Sequence, residues 1–222
     1  MEILSTIGKF LLVSLAIVGV IIPLIAERRN YDFVRRVWSS FSLKLFFQSF
    51  AVLLAVAVVS ILLIHLVPFL GYGLLSVFYE GAGNASITPI LEGSRSSHVL
   101  VRILPTFFFF AFLFVVPFLS RSEEQAFRKG YEDWPSIIKQ SVKFGLVHLI
   151  VGIPLAVGFA LTISGLFFGY VYKTTYDRTT ESMRHIRAQE EAVMASTVAH
   201  SMYNTIVVSL LLVGTIVRIW HH

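Results

Sequence analysis

Six apolar runs, separated by polar segments, divide this sequence of 222 residues. A membrane crossing needs roughly 20 predominantly apolar residues, and 56% of this chain is hydrophobic while only 14% is charged. The sequence therefore predicts an all-α, polytopic transmembrane helical bundle of about six to eight membrane helices, with 1–222 as a single integral membrane domain. The runs cover about 10–26, 43–70, 99–119, 135–152, 155–172 and 193–220.

The basic residues are unevenly distributed between these runs. Fourteen of the 18 Lys and Arg residues fall in 27–44, 120–143 and 173–192. Positive residues concentrate on the cytosolic side of membrane proteins, so six crossings would put all three segments in the cytosol and both termini outside. The net charge of +5 then reports topology in the lipid bilayer, and no nucleic-acid partner is expected. We expect an integral, multi-pass protein of the plasma (inner) membrane.

The first polar motif, Glu123-Glu124-Gln125-Ala126-Phe127-Arg128, follows the third apolar run. Ser122 and Gln125 have the S-x-x-Q spacing of a capping box, which predicts that a helix begins here with both carboxylates in its first turn. Glu124 and Arg128 are four residues apart, so we expect them to pair on one helix face. In isolation, such a motif is typical of an ordinary interfacial helix start with one salt bridge.

Two further motifs lie inside apolar runs. Phe144 and His148 are four residues apart in the run that begins at Pro135, and His200 and Asn204 are four apart in the last run. Taken alone, His148 could be a hydrogen-bonded structural residue, and the second pair could form a tight polar junction between helices. Together with the carboxylate pair, the two histidines and the asparagine are groups that can activate a water molecule and stabilise an oxyanion.

The ordered series EExxxR, FxxxH and HxxxN resembles the CPBP family, the CAAX-processing and bacteriocin-processing intramembrane endopeptidases that include the Ras-converting endopeptidase. The resemblance covers about 121–213 and includes Gly165-Leu166-Phe167-Phe168-Gly169-Tyr170. It implies an intramembrane protease that cleaves a membrane-associated peptide, such as a prenylated CAAX protein or a bacteriocin precursor. By the same resemblance, Glu124 and Arg128 would hold the site together, and Phe144 would line the substrate pocket.

The resemblance also implies roles in the chemistry itself. Glu123 would be the general base that activates water, with His148 as its partner across the cavity. His200 and Asn204 would supply the oxyanion hole. The site would open toward the cytosol, and all of these residues fall within 121–213.

No cofactor is expected, because the resemblance favours metal-free glutamate chemistry. Zinc is the alternative, since Glu123, His148 and His200 form the two-histidine, one-carboxylate set that catalytic zinc uses. Against zinc, none of the motifs has the H-E-x-x-H spacing that presents two ligands from one helix. The sequence also contains no cysteine, which excludes thiolate metal sites and disulfides.

A polar, charge-rich insert at 173–191 precedes the last run, where the family usually has a short turn. We expect a cytosolic linker helix here, either solvated or amphipathic, which could gate the site or bind a partner protein. The insert keeps a second function open, namely a catalytically idle membrane scaffold or a bacteriocin-immunity or regulatory protein. A transporter is the third alternative, but it predicts inverted repeats, whereas the polar residues concentrate in the second half of this chain.

Overall fold

A computed structural model describes residues 31–73 and 99–220 of the chain, and the secondary structure in these ranges is helical. The prediction of an all-α fold is thereby confirmed for the described residues. The predicted apolar run at 10–26 and residues 74–98, between the second and third runs, lie outside them. The α-helices are α1 (Tyr31–Ser39), α2 (Leu43–Leu66), α3 (Val99–Phe127), α4 (Trp134–Val147), α5 (Leu155–Thr180) and α6 (His185–Trp220).

Four of these helices, α2, α3, α5 and α6, are long and apolar enough to cross a membrane. The fourth predicted run forms α4, which has 14 residues and is not among the four. It begins where the sequence predicts, because Asp133 caps it through a 2.9 Å bond from the Ser136 backbone N–H and Pro135 occupies its first turn. Hydrogen bonds from Ser136 hold the pKa of the Asp133 carboxyl below its usual value.

The end of α4 lies one residue before His148, which the sequence placed well inside a helix. His148 instead opens a short 3-10 helix, His148–Val151, that leads into Gly152 with a left-handed φ of 83°. Pro154 then begins the approach to α5, so the helix cannot continue through this point. The imidazole is therefore held at a helix terminus, where the backbone turns sharply.

The capping-box prediction at Ser122 is wrong. Residues 99–127 form one continuous helix, so Ser122 lies inside α3 and the two carboxylates lie in its last two turns. A capping serine acts only where the preceding backbone is not helical, and here the residues before Ser122 already belong to the helix. The predicted pairing of Glu124 with Arg128 is confirmed, because it depends on helical spacing and not on where the helix begins.

The predicted linker helix at 173–191 is also wrong as a separate element. Residues 173–180 are the last turns of α5, and residues from 185 onward are the first turns of α6, so a short turn joins two long helices. Buried side chains near this turn pack the two helix ends together, which favours extension over a separate linker. They are Tyr172, Tyr176, Ala188, Ala192 and Val193.

A polar cluster also ties this α5–α6 hairpin to the segment before α4. The Tyr176 hydroxyl lies 2.7 Å from Glu132 Oε2 and 2.8 Å from His185 Nδ1. The Gln189 amide donates to Glu132 Oε1 over 2.6 Å. Both helices of the hairpin are consequently attached to the segment between α3 and α4, through Glu132.

The bundle is ordered around α5 and α6. Helix α6 runs antiparallel to α3, as side-chain contacts from Thr106–Thr215 at one end to Glu124–His200 further along indicate. Helix α5 packs against α2, α4 and α6. This arrangement brings the ends of α3 and α4 against the middle of α5 and α6, which is where the three polar motifs meet.

Helix α4 approaches α5 closely at Gly145, and we predict that Gly145→Ala destabilises the protein. A Cβ at this position would lie 2.4 Å from the Gly158 carbonyl oxygen and 2.9 Å from the Thr162 backbone nitrogen, so the helices would have to separate. Overpacking of this kind costs roughly 1–3 kcal/mol. The measurement is thermal unfolding of the purified protein in detergent. Gly214→Ala is the matched control, because a Cβ there meets nothing within 4 Å; equal Tm values for both variants would contradict the close approach.

Candidate active site

A fully buried ion pair forms the base of the site. Glu124 and Arg128 are both 0% exposed, and Glu124 Oε2 lies 3.5 Å from Arg128 Nε. Arg128 also donates to two backbone carbonyl oxygens, that of Gly165 over 2.8 Å and that of Phe127 over 3.1 Å. Buried charges persist only when they are paired and hydrogen-bonded. The pair therefore fixes the end of α3 against the middle of α5.

Two glycines on α5 allow this arrangement. A Cβ on Gly165 would lie 2.9 Å from the Ser141 carbonyl oxygen, and a Cβ on Gly169 would lie 2.5 Å from an Ile137 side-chain carbon and 3.9 Å from Arg128 Nε. Larger residues would therefore push α4 away from α5 and away from the arginine. The four-residue spacing of the glycines is the sequence signal for this contact surface, since it puts both on one face of α5.

His200 connects the buried pair to the open part of the site. Its Nδ1 lies 2.9 Å from Glu124 Oε1, and because a carboxylate accepts hydrogen bonds, Nδ1 carries a proton. The opposite nitrogen, Nε2, lies 3.6 Å from Glu123 Oε2. His200 is only 2% exposed, and the ring of Phe168 stacks on it with a centroid distance of 4.3 Å and an interplanar angle of 17°. The imidazole is thus fixed in both position and orientation.

His148 faces the same carboxylate oxygen from the 3-10 helix that follows α4. Its Nδ1 lies 2.7 Å from the Phe144 carbonyl oxygen, which can only accept, so this nitrogen also carries a proton. Its Nε2 lies 3.9 Å from Glu123 Oε2. The side chains of Glu123 and His148 are 33% and 26% exposed, in contrast with the buried Glu124 and His200. Glu123 is therefore the more exposed member of the carboxylate pair, although Oε2, the oxygen that the two imidazole nitrogens face, is itself buried.

Phe144, the predicted pocket residue, packs between the two histidines. Its ring centroid lies 4.7 Å from that of His148 and 5.4 Å from that of His200, and it is 2% exposed. The Arg128 guanidinium carbon lies 5.7 Å from the same ring centroid, close enough for a cation–π contact. Phe144 thus acts as a buried spacer that sets the separation of the imidazoles.

Asn204 lies one helical turn beyond His200 on α6. Its Nδ2 donates to the Oγ of Ser120 over 3.4 Å, and Ser120 is fully buried on α3, four residues before Glu124. Sequence reasoning missed Ser120, because its partnership with Asn204 depends on the register between α3 and α6. No spacing within a single helix carries that information.

The distances around Glu123 also bear on the zinc alternative. A tetrahedral zinc ion with bonds of about 2.0–2.1 Å holds its ligand atoms roughly 3.3 Å apart. The separations of 3.6 and 3.9 Å from Glu123 to the two histidines are longer, so zinc would require the three side chains to move together. Within residues 31–73 and 99–220, no group of three or more His, Asp or Glu side chains is arranged to hold a metal ion.

All seven predicted site residues fall in the described ranges and lie at the junction of α3, α4, α5 and α6. Six of them form one set of direct contacts, and Asn204 joins through Ser120 to the helix that carries the two carboxylates. The six in direct contact are Glu123, Glu124, Arg128, Phe144, His148 and His200.

Comparisons of the chain with protein-family models, with curated proteins and with solved structures find no match.

Proposed function

We propose that this protein is an intramembrane endopeptidase of the CPBP type, which hydrolyses a peptide bond of a membrane-associated substrate. The observation that supports this most directly is the environment of Glu123. Its side chain is partly exposed, and its buried Oε2 is faced by the Nε2 atoms of His148 and His200, while the second carboxylate, Glu124, is fully buried and paired with Arg128. Two adjacent carboxylates in such different environments can serve different purposes, one reacting and one structural.

In the proposed reaction, Glu123 removes a proton from a water molecule as the oxygen attacks the scissile carbonyl carbon. The new C–O bond leaves a tetrahedral oxyanion. As this intermediate collapses, the C–N bond breaks and the proton held by Glu123 passes to the leaving amine, so the carboxylate is regenerated. His148, across from Glu123, is suited to orient the water through Nε2.

His200 and Asn204 are the proposed oxyanion donors. Donation by His200 requires that Nε2 carry a proton as well as Nδ1, and Nε2 is the ring nitrogen that faces the open part of the site, 3.6 Å from Glu123 Oε2. The Asn204 amide has two N–H groups, of which one is bonded to Ser120. The other is available to the oxyanion. Donors already oriented before the reaction stabilise developing charge most effectively.

We propose a multi-pass topology in the plasma (inner) membrane with the basic end of the bundle in the cytosol. Support comes from ion pairs that join the three Lys- and Arg-rich segments at one end: Arg36 with Glu191, and Lys129 with Glu190 over 2.5 Å. The exposed rings of Trp134 and Tyr170 stack near this end, as expected of residues at a membrane interface. The substrate would then reach Glu123 from the cytosolic side.

Cleavage of a membrane-delivered peptide library tests the proposal. The library contains farnesylated CAAX peptides and bacteriocin-like precursors, and purified protein is assayed with and without a strong zinc chelator. Glu123-dependent cleavage that survives the chelator would support metal-free glutamate chemistry and identify the substrate class, whereas chelator-sensitive cleavage would favour zinc. The absence of cleavage of every substrate would contradict the protease and favour the idle scaffold, with the α5–α6 hairpin as its partner surface.

We predict that Asn204→Ala lowers kcat by about 10²–10³-fold, the usual scale for the loss of one oxyanion donor. The readout is kcat on the best library substrate. Thr205→Ala is the control, because this adjacent residue faces an apolar groove between α2 and α6 and not the site. Turnover by Asn204→Ala that equals turnover by Thr205→Ala would remove Asn204 from the oxyanion hole.

A further inference from the structure

Two polar contacts, one buried and one part-buried, join α3 and α6 one helical turn apart. Glu124 on α3 contacts His200 on α6 over 2.9 Å, and Ser120 on α3 contacts Asn204 on α6 over 3.4 Å. The α3 residues differ by four positions and so do the α6 residues, as expected for two antiparallel helices in register. Each contact thus links one proposed oxyanion donor to a fixed residue on the helix that carries the general base.

We propose that Ser120 is a positioning residue that orients the Asn204 amide for oxyanion binding. This inference rests on the proposed function. The terminal torsion of an asparagine side chain has broad, roughly two-fold preferences, so backbone and helix position alone do not fix the direction of its N–H groups. A hydrogen bond from one N–H to Ser120 fixes that torsion and directs the second N–H away from α3. Glu124 has the corresponding effect on His200.

The position of Ser120 is better suited to orienting the Asn204 amide than to general packing between the helices. It is 0% exposed, so close packing around it leaves its hydroxyl little room to move. The same two helices also share a Thr106–Thr215 hydroxyl contact of 3.2 Å, which lies 11 residues along α6 from Asn204. This third contact between α3 and α6 provides an internal control, because it contributes to helix association without touching the site.

Kinetics of Ser120→Ala test the proposal. We expect kcat to fall about tenfold with KM unchanged, because the loss of one neutral hydrogen bond is worth up to about 1.5 kcal/mol, and about 1.4 kcal/mol is a factor of ten in rate. Ser120→Thr keeps the hydroxyl and should retain most of the activity. Should Ser120→Ala fail to fold, Ser120→Cys takes its place, since it keeps the volume and substitutes a weakly bonding thiol.

A double variant separates positioning from independent structural effects. If Ser120 acts through Asn204, then Ser120→Ala combined with Asn204→Ala should be no slower than Asn204→Ala alone. Thr215→Val removes the other hydroxyl contact between α3 and α6 and should leave kcat within about twofold of wild type.

Three results would overturn the positioning role: an unchanged kcat in Ser120→Ala, a further loss in the double variant, or an equal loss of kcat in Thr215→Val. These results presuppose cleavage by the wild-type protein. If the wild type cleaves nothing, the proposed function fails and the role of Ser120 fails with it. Active wild type with an unaffected Ser120→Ala would overturn the role of Ser120 only.

Discussion

Glu123→Gln is expected to reduce peptide cleavage to background while the variant folds like the wild type. The glutamine keeps the shape of the side chain but cannot accept a proton from water, and general base catalysis contributes about 10²–10⁴-fold to rate. The cost in stability should be small, because Glu123 is one-third exposed and its nearest ionic partners are histidine nitrogens 3.6 and 3.9 Å away. Loss of activity with an unchanged Tm would separate chemistry from folding.

Single-turnover cleavage of the best library substrate is the appropriate measurement, because it isolates the chemical step from product release. Glu181→Gln is the matched control, since Glu181 is an exposed carboxylate in the turn between α5 and α6. It removes the same charge from a solvated position and should leave the rate unchanged. Proteolysis retained in Glu123→Gln would eliminate Glu123 as the base.

Contacts within one helix were predictable from the sequence, because helical spacing alone determines them. The four-residue separation of Glu124 and Arg128 predicts their pairing, and the ion pair is present. The separation of Phe144 and His148 likewise puts both near one face, and the structure adds a bond between the His148 ring and the Phe144 carbonyl. In both cases the interacting groups lie one turn apart on the same segment.

Helix ends were harder to predict than helices. Ser122 and Gln125 have a capping-box pattern, yet α3 passes through them without interruption. The capping-box pattern would start a new helix at Ser122, but the long apolar run before it already forms a helix. Adding residues to an existing helix costs less free energy than starting a new one, so α3 continues. In the same way, α5 extends to Thr180 and α6 begins at His185. The polar insert at 173–191 is therefore made of the end of α5, a short turn and the start of α6.

Contacts between helices were not predictable from one sequence. The partners of Arg128 include the Gly165 carbonyl, 37 positions away, and the partner of Asn204 is Ser120, 84 positions away. These contacts depend on the register and separation of packed helices, which small residues such as Gly169 permit without specifying. Every residue has a backbone carbonyl, so the sequence does not show that the carbonyl of Gly165 accepts a hydrogen bond from the buried Arg128.

Arg128→Met is expected to destabilise the protein by roughly 3–5 kcal/mol, the usual cost of breaking a buried ion pair from one side. The guanidinium is fully buried, and its removal leaves the buried carboxylate of Glu124 without the arginine charge, although the contact with His200 remains. It also removes the donors to the Gly165 and Phe127 carbonyl oxygens. Thermal unfolding in detergent, together with the yield of folded protein, measures the effect.

A second substitution identifies the buried charge as the cause. Glu124→Gln added to Arg128→Met should recover part of the lost stability, because it neutralises the carboxylate that the arginine had compensated. Lys129→Met is the matched control: this neighbouring residue pairs with Glu190, both side chains are more than 40% exposed, and exposed pairs contribute at most about 1 kcal/mol. If Arg128→Met were as stable as Lys129→Met, the ion pair would not be what fixes α3 against α5.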